Sequence, residues 1–366
     1  MEEKSLLEIA REEINCVDRE MAKLFERRMR AVAQVAKYKQ ETGMPIFDPV
    51  REEEILRRGA LRVEDQVIRG YYVNFLHANM DISKTYQSRL LGGMRVAYSG
   101  VKGAFAQIAA SRIFPDAEVC GYPDFAAAYR AVENGESDVA VLPLENSTGG
   151  DVGTVMDLAF FGSLHINGIY DIEVVQNLLV KPGTSLSDVR AVISHPQALG
   201  QCDAFIKKIG AQTHNAVNTA VAAKTVAESS DPSLAAIGSE EAAAEFGLSV
   251  LCSHIQEKGG NTTRFAVFSR TEKDLTERDR QFVLLFTVKN EAGALAKAVS
   301  AIGDGGFNLR AIKSRPTKHL SWEYYFFCEG EGFIRGEEGK KMLAELGKNC
   351  NDLKVLGAFE KEIVLS

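Results

Sequence analysis

The five residues at 261–265, Asn-Thr-Thr-Arg-Phe, carry side chains that could act on a bound molecule. The pair Gly259 and Gly260 precedes them and an apolar run at 265–268 follows, so a flexible backbone leads a hydroxyl and a guanidinium to the start of a strand. A hydroxyl can donate a hydrogen bond to a departing oxygen, and a guanidinium can bind a carboxylate. The same residue types also form ordinary turns, so both interpretations stay open for this stretch alone.

Two further polar clusters follow apolar, β-branched stretches. The cluster 143–146 (Pro-Leu-Glu-Asn) comes after residues 139–142, and Ser194-His195-Pro196-Gln197, with Gln201 and Cys202, comes after residues 189–193. We expect such clusters at the ends of strands, where a site is usually built. At these three places the sequence resembles prephenate dehydratase, whose pattern is Asn, any residue, Thr, Arg, Phe.

The resemblance implies roles for these side chains. Prephenate loses carbon dioxide and a ring hydroxyl together, and Thr263 would donate a hydrogen bond to that hydroxyl. Glu145, if it is desolvated, could supply the proton, and Arg264 would bind a carboxylate. The side chains expected to orient the rest of the substrate are Asn146, Ser194 and Gln201. His195 is either a general acid or a cap of the loop before Pro196.

A long N-terminal helix is predicted because residues 5–40 contain neither glycine nor proline and repeat apolar side chains every seven residues. Such a helix would span about 50 Å and suits a bundle or an intertwined dimer. Arg28 lies in the apolar seam, where a guanidinium needs an anion or must reach out to solvent. Lys39 lies about 16 Å along the axis on nearly the same face, whereas Arg11 is turned by about 100° and suits a different copy of the site.

Two shorter helical segments follow. Asp48 and Pro49 fit the N-cap and first position of a second helix, and a third apolar-periodic stretch, residues 63–91, carries Ser83 and Gln87 one turn apart. This pattern resembles the all-helical chorismate mutase of the AroQ class. The resemblance implies an intertwined dimer in which Arg11 crosses into the partner's site. It rests on eight positions in order: Arg11, Arg28, Lys39, Asp48, Arg51, Glu52, Ser83 and Gln87.

The implied chemistry suits a dicarboxylate that rearranges without covalent help. Arginines 11, 28 and 51 would hold the carboxylates, while Lys39 and Gln87 would donate to the ether oxygen on which charge builds. The remaining three residues, Asp48, Glu52 and Ser83, would order the arginines or bind the substrate hydroxyl.

An α/β region follows the linker Gly92-Gly93, since strand and helix patterns alternate from residue 94 to 268. The resemblance implies a two-lobed fold like that of periplasmic binding proteins. The loop 100–103 could hold an anion at a helix N-terminus. It reads Gly-x-x-Gly, which argues against a nicotinamide cofactor, and no cofactor is expected. The family usually has a hydroxyl where Ala106 stands.

The C-terminal pattern predicts a βαββαβ order with strands near 282–288, 308–314, 322–328 and 354–359, typical of a ferredoxin-like fold. It resembles an ACT domain, which implies feedback inhibition by phenylalanine. The family has Glu before Ser-Arg-Pro, and Lys313 stands there, reversing the charge beside the expected effector pocket. The effector residues implied by the resemblance are Gly293, Ala294, Leu295, Asn308, Ser314 and Arg315.

Composition narrows the class of protein. The chain has 366 residues and a net charge of -7, which predicts two or three domains and disfavours nucleic acid or an anionic membrane as partner. Six dispersed cysteines favour reduced thiols, dispersed histidines disfavour a metal site, and the charged start disfavours a leader, so a cytoplasmic protein is expected.

The predicted architecture is therefore an all-α mutase bundle (1–91), a two-lobed α/β dehydratase domain (94–270) and an α+β ferredoxin-like ACT domain (280–366). We expect a homodimeric or larger bifunctional enzyme that converts chorismate to prephenate and prephenate to phenylpyruvate. A sensor of aromatic metabolites that has lost catalysis is the alternative. A prephenate dehydrogenase would need the dinucleotide loop that the sequence lacks.

Overall fold

The computed structural model describes residues 5–45, 48–257, 260–317, 323–361 and 363–365. Gly259 and the expected strand start at Trp322 lie outside these ranges. The chain divides into two compact units, Met1–Met94 and Arg95–Ser366. Among the described residues, no helix has both the length and the apolar character needed to cross a membrane.

The N-terminal unit is helical, as expected. Its first helix spans 37 residues and starts at a capping box, in which Ser5 Oγ accepts from Glu8 N and the Glu8 carboxylate accepts from Ser5 N at 2.8 Å. Gly43 ends this helix in the left-handed region (φ 69°), where glycine is favoured. The three helices are α1 (Leu6–Thr42), α2 (Pro49–Ala60) and α3 (Arg69–Gly92).

The predicted apolar rows of α1 are mostly uncovered within one copy of the chain. Leu7 and Ile14 are each 58% exposed and Leu24 is 61% exposed, while Ala36 is the one residue of α1 that is buried. Helices normally bury such a stripe, because each apolar side chain removed from water stabilises the fold. One copy therefore leaves the seam of α1 without its cover.

The first sheet of the second unit forms lobe I, which has helices against its faces. Its strand order is β16-β5-β11-β3-β1-β2, with β4 paired to β3. The strands are β1 (Arg95–Ser99), β2 (Glu118–Tyr122), β3 (Val139–Asn146), β4 (Gly150–Asp151), β5 (His165–Glu173), β11 (Thr262–Ser269) and β16 (Ile363–Leu365), and the helices are α4 (Phe105–Ile113), α5 (Phe125–Glu133) and α6 (Gly153–Phe161).

Lobe II is built on the second sheet, of order β10-β6-β9-β7-β8. The chain enters it after β5 and returns to lobe I at β11, so two crossings join the lobes. Its strands are β6 (Asn177–Val180), β7 (Ala191–Ser194), β8 (Gln212–Asn215), β9 (Leu234–Gly238) and β10 (Ser249–Cys252), and its helices are α7 (Pro196–Gln201), α8 (Asp203–Ile209), α9 (Thr219–Glu228) and α10 (Glu240–Phe246).

A third, antiparallel sheet of order β13-β14-β12-β15 completes the second unit, and its βαββαβ order confirms the sequence pattern. All seven residues of β12 are buried, because alternate side chains pack on two sides. Phe282 and Leu284 face the two helices, while Val283 and Leu285 join the core of lobe I. The elements are β12 (Gln281–Thr287), α11 (Ala294–Asp304), β13 (Asn308–Pro316), β14 (Tyr324–Glu331), α12 (Glu337–Lys348) and β15 (Asp352–Phe359).

The end of the chain was not anticipated from the sequence. After β15 the three residues of β16 return to lobe I and pair in parallel with residues 170–172 of β5. Gly357 of β15 also lies so close to β5 that a Cβ there would be 1.9 Å from the carbonyl oxygen of Ile166. The C-terminal sheet and lobe I are thus in direct backbone contact.

Candidate active sites

A cavity of about 530 Å³ lies between the two lobes. Lobe I contributes Asn146 from β3 and Thr263 from β11, which are direct neighbours in the strand register. Lobe II contributes His195, Gln197 and Gln201 from the start and end of α7. The cavity therefore brings together groups from the three polar clusters of the sequence.

Thr263 is held by a hydrogen bond whose direction the structure defines. Asn146 Nδ2 donates to Thr263 Oγ1 at 2.9 Å and to Asn261 Oδ1 at 3.0 Å. Asn146 Oδ1 accepts from the backbone N–H groups of Thr148 (3.1 Å) and Gly149 (2.8 Å). Because a backbone N–H can only donate, this amide cannot be reversed without leaving oxygen against Thr263 and nitrogen against two donors. Thr263 Oγ1 is thus an acceptor here, and its own proton can point to a molecule in the cavity.

Neutral amides extend this network around Gln201. Gln201 Nε2 donates to Thr148 Oγ1 at 2.7 Å, and Gln201 Oε1 accepts from Asn261 Nδ2 at 3.1 Å and from Gln176 Nε2 at 3.3 Å. Gln201 was predicted as a site residue from the sequence, whereas Thr148, Gln176 and Asn261 were not given roles. Asn261 opens the polar stretch at 261–265, so its place in the motif was an available signal.

His195 caps a helix and also lines the cavity. Its Nδ1 accepts from the backbone N–H of Gln197 at 3.3 Å. This hydrogen bond assigns the proton of the neutral ring to Nε2, because an accepting nitrogen carries no proton. The capping role considered from the sequence is therefore observed.

Ser194 differs from its expected place. Its side chain is fully buried, and its Oγ donates to the carbonyl oxygen of Ile237 at 2.7 Å, which ties β7 to β9. It is not among the residues that line the cavity. Ser194 Oγ is directed at the Ile237 carbonyl of β9, so this side chain faces the interior of lobe II rather than the cavity.

Glu145 and Arg264 also differ from expectation, because they face away from the cavity. Successive side chains of a strand point to opposite faces, so Asn146 and Thr263 on one face place Glu145 and Arg264 on the other. There the Arg264 guanidinium binds Glu329 of β14 through two bonds of 3.0 and 2.7 Å and lies 3.3 Å from Glu145 Oε2. Arg264 therefore connects β11 to the C-terminal sheet.

The surroundings of Glu145 favour its charged form, whereas the expected role as a proton source depends on desolvation. Burial raises the pKa of Glu145, but hydrogen bonds and charges from Lys313 and Arg264 outweigh it and hold that pKa below its usual value. Lys313 Nζ lies 2.9 Å from Glu145 Oε2 and 2.6 Å from Asp151 Oδ1. Glu145 is thus a paired carboxylate, and the charge reversal at Lys313 is matched by two acidic residues of lobe I.

The cavity is suited to an anion although its wall is not basic. Among its lining residues that the structure describes there is neither lysine nor arginine. Helices α4, α5 and α9 begin at the wall, and helix N-termini favour negative charge. Asp124 caps α5 and Asn218 caps α9, whereas α4 begins at Ala104 without a side-chain cap. Of these three helices, α4 is the one whose first-turn N–H groups have no side-chain cap.

In the helical unit, Arg28, Ser83 and Gln87 come together between α1 and α3. The Arg28 guanidinium donates to Ser83 Oγ, and Gln87 Nε2 donates to the Ser83 carbonyl oxygen at 3.3 Å. Ser83 and Gln87 are buried, and burial lowers the pKa of Arg28. One proton of Gln87 Nε2 remains for another acceptor.

The other mutase positions are more dispersed. Asp48 accepts from Arg51 N at 3.0 Å, which confirms it as the N-cap of α2. The Arg51 side chain pairs with Glu54, and Glu52 pairs with Lys84 at 3.1 Å. Lys39 is half-buried. Arg11 is exposed and lies about 25 Å from Arg28 along the same helix, so one copy does not bring these two together.

The expected effector residues lie at two ends of the C-terminal sheet. Gly293 caps α11 with a φ of 82°, followed by Ala294 and Leu295, at the same end of the sheet as Ser314 and Arg315. Asn308 begins β13 at the opposite end, about 20 Å away.

Arg315 is engaged with lobe I rather than with a pocket. Its Nε and Nη2 atoms donate to Asp157 of α6 at 2.8 and 3.0 Å, and the Tyr325 hydroxyl donates to the same carboxylate at 2.7 Å. These hydrogen bonds raise the pKa of Arg315.

The chain thus combines a helical unit that holds a half-buried arginine with a two-lobed α/β unit that encloses a cavity between its lobes. Family models agree: chorismate mutase type II matches residues 10–88 and prephenate dehydratase matches residues 96–273. The chain is 32% identical to the bifunctional chorismate mutase/prephenate dehydratase of Aquifex aeolicus, over 97% of this chain and 98% of that protein. The enzyme of the same description from Escherichia coli K12 is 29% identical, over 97% and 96% of the two chains. The chain belongs to the bifunctional chorismate mutase/prephenate dehydratase family.

Solved structures resemble the second unit. Prephenate dehydratase from Arthrobacter aurescens, in complex with L-Phe, aligns with a TM-score of 0.68 and 27% identity over 73% of this chain and 90% of that one. A protein described as GqqA, a quorum-quenching acylase, also aligns with a TM-score of 0.68, at 29% identity over 73% and 97%. Family membership decides between the functions weighed from the sequence: the chain is an enzyme of phenylalanine biosynthesis that rearranges chorismate and then decarboxylates and dehydrates prephenate.

Proposed function

We propose that the interlobe cavity is the dehydratase site and that Thr263 donates a hydrogen bond to the departing ring hydroxyl. The observation that carries this proposal is the bond from Asn146 Nδ2 to Thr263 Oγ1, which leaves the threonine proton to the ligand. As the bond to the ring carboxylate breaks, its electron pair enters the ring and expels the hydroxyl, so a donor at that oxygen stabilises the charge that develops.

The cavity wall suits this reaction because it lacks a cation in the part that the structure describes. The ring carboxylate must give up its charge as carbon dioxide leaves, and a guanidinium bound to it would stabilise the substrate more than the transition state. Side-chain amides and the N-terminus of α4 would bind the carboxylate more weakly than a guanidinium and so stabilise the substrate less. Asn146 and Gln201 are proposed to orient it, and Arg264 and Glu145 to support the strand ends from behind.

Thr263→Ala tests the assignment. We expect dehydratase turnover to fall by about a thousandfold, on the scale of a lost oxyanion donor, while mutase turnover is unchanged. Thr263→Ser keeps the hydroxyl and should retain most activity. A Thr263→Ala enzyme with normal dehydratase turnover would remove Thr263 from the mechanism.

For the mutase reaction we propose that Arg28, Lys39, Arg51 and Gln87 act with Arg11 of a second copy in an intertwined dimer, and that Ser83 orders Arg28. The exposed apolar rows of α1 and the roughly 25 Å between Arg11 and Arg28 support this arrangement. Lys39 and Gln87 would donate to the ether oxygen. Asp48 is proposed to act by capping α2, which carries Arg51, and Glu52 by its ion pair with Lys84.

Coexpression of Arg11→Ala and Arg28→Ala chains tests the exchange of Arg11. If Arg11 acts on the other copy's site, each mixed dimer has one intact site and the mixture should recover about a quarter of wild-type mutase activity. If Arg11 acts within its own chain, each site of the mixed dimer carries one defect and no activity returns. The singly substituted homodimers are the controls.

We further propose that residues 280–366 form an ACT domain that responds to phenylalanine, with residues 1–91 and 94–270 as the catalytic domains, in a cytoplasmic enzyme. The βαββαβ order and the likeness to a dehydratase bound to L-Phe support the regulatory assignment. The six cysteines are free thiols in the structure, as cytoplasmic proteins usually have.

Titration of phenylalanine against dehydratase activity tests this assignment. We expect phenylalanine to inhibit the enzyme. The positive charge of Lys313 is balanced by its ion pairs with Glu145 and Asp151, so it should not disturb the neighbouring effector residues. An unchanged rate and oligomeric state would mean that the switch is lost.

A further inference from the structure

Gln197 is a lobe II residue whose side chain ends in lobe I. Its Nε2 donates to Asn146 Oδ1 at 2.8 Å and lies 3.3 Å from Thr148 Oγ1. The approach is so close that a Cβ on Gly149 would lie 2.5 Å from this nitrogen. The amide therefore fits against the turn that holds Asn146, with glycine where the two meet.

We propose that Gln197 is a positioning residue for dehydration: it holds the Asn146 amide in the orientation that makes Thr263 a donor to the substrate. The inference rests on the proposed role of Thr263. Gln197 touches Asn146, and Asn146 touches Thr263, so Gln197 acts through another side chain.

The chemistry of the contact requires a donor at position 197. Asn146 Oδ1 is an oxygen because two backbone N–H groups donate to it, so the atom facing it from Gln197 must be the amide nitrogen. A carboxylate in its place would set an oxygen against Asn146 Oδ1. The repulsion would displace the Asn146 side chain from the geometry in which its nitrogen donates to Thr263 Oγ1, so Thr263 would lose the bond that leaves its proton for the substrate.

The contact also depends on the lobes being together. Gln197 and Gln201 both reach from α7 to Thr148, and these bonds exist only while lobe II lies against lobe I. Alignment of Thr263 is thereby coupled to closure of the cleft around the substrate.

Gln197→Glu tests the proposal through its pH profile. At neutral pH we expect dehydratase kcat to fall by at least about tenfold with little change in KM, because a small misalignment is costly in the transition state. As pH falls toward about 4.5 the carboxyl regains a proton, becomes a donor and should restore activity relative to the wild-type enzyme at the same pH. Gln197→Ala should lose activity at every pH.

Three controls make the result specific. Enzyme-free prephenate is measured at each pH, because the substrate is itself inclined to react. Thermal unfolding reports folding of the unit that carries Gln197, and Gln212→Glu places the same charge on an exposed position of lobe II. Wild-type kcat in Gln197→Glu at neutral pH, or a loss that acid does not reverse, would overturn the role of Gln197. An active Thr263→Ala enzyme would instead overturn the proposed function, so the two failures are distinguishable.

Discussion

The helical unit and the interlobe cleft, the two sites proposed for related ring acids, carry opposite sets of side chains. The helical unit offers cations at Arg28, Lys39 and Arg51, whereas the cleft offers neutral amides, a hydroxyl and helix N-termini. The rearrangement keeps both carboxylates and builds charge on an ether oxygen, so fixed cations help throughout. In dehydration the ring carboxylate leaves as neutral carbon dioxide, and a cation bound to that carboxylate would slow this step. The fate of the carboxylate, more than its presence, accounts for the difference.

Removing a cation from the helical unit should have the largest effect. Arg28→Met is expected to lower mutase kcat/KM by about a hundredfold or more. The substrate and the transition state would both lose the guanidinium that binds a carboxylate. Dehydratase activity on added prephenate should not change. Arg30→Met is the matched control, because the Arg30 side chain is 73% exposed. Equal mutase activity in both variants would contradict the cationic site.

Adding a cation to the cleft should slow dehydration. Ala106 lies in the first turn of α4 and lines the cavity. Ala106→Lys is expected to lower dehydratase kcat by about tenfold with KM unchanged or lower, because the ammonium would stabilise the bound dianion more than the transition state. Ala106→Gln has similar length without charge and should be less affected. A faster Ala106→Lys enzyme would show that the cleft tolerates a cation on the departing carboxylate.

The strands that carry the dehydratase residues show what sequence could and could not predict. Local patterns predicted α1, a strand over the apolar run 265–268 and the βαββαβ order, since each depends on residues close in sequence. Glu145 and Asn146 were expected together in one site at the end of a strand, whereas β3 continues through both and turns them to opposite faces. The same alternation separates Thr263 from Arg264.

Contacts between segments far apart in the chain could not be predicted from local sequence patterns. Gln197 lies 51 residues from Asn146, and no local pattern encodes a bond that closes one lobe on the other. Strand β16 has three residues, too few for a period to show. The charge at Lys313 was noticed as unusual, but its partners Glu145 and Asp151 were visible only in the fold.

Neutralising Glu145 should lower the stability of the fold but leave dehydratase turnover nearly unchanged. Glu145→Gln is expected to keep dehydratase kcat within about threefold, since its carboxylate faces away from the cavity. Stability should respond instead. The folded-state pKa of Glu145 lies below its usual 4.5, so the ion pair with Lys313 stabilises the fold above that pH and is lost on acidification.

Thermal unfolding of the wild-type enzyme and Glu145→Gln, followed from pH 7 downward, checks this prediction. The wild-type advantage in Tm should be largest at neutral pH and should shrink below about pH 4.5. A loss of dehydratase turnover beyond a hundredfold, with Tm unchanged, would return Glu145 to the role of proton donor.

The smallest expected effect concerns Asp48, which both the sequence pattern and the structure place at the start of α2. Its carboxylate accepts from Arg51 N at 3.0 Å, and Asp48→Ala should cost about 1 kcal/mol in the free energy of unfolding of the helical unit. Asp48→Asn restores an acceptor and should recover most of this stability. If Asp48 acts only as a cap, both variants keep mutase KM, because Arg51 remains on the first turn of α2. An increase in KM for Asp48→Asn despite normal stability would instead mean that the negative charge itself helps to order the cations that set this unit apart from the cleft.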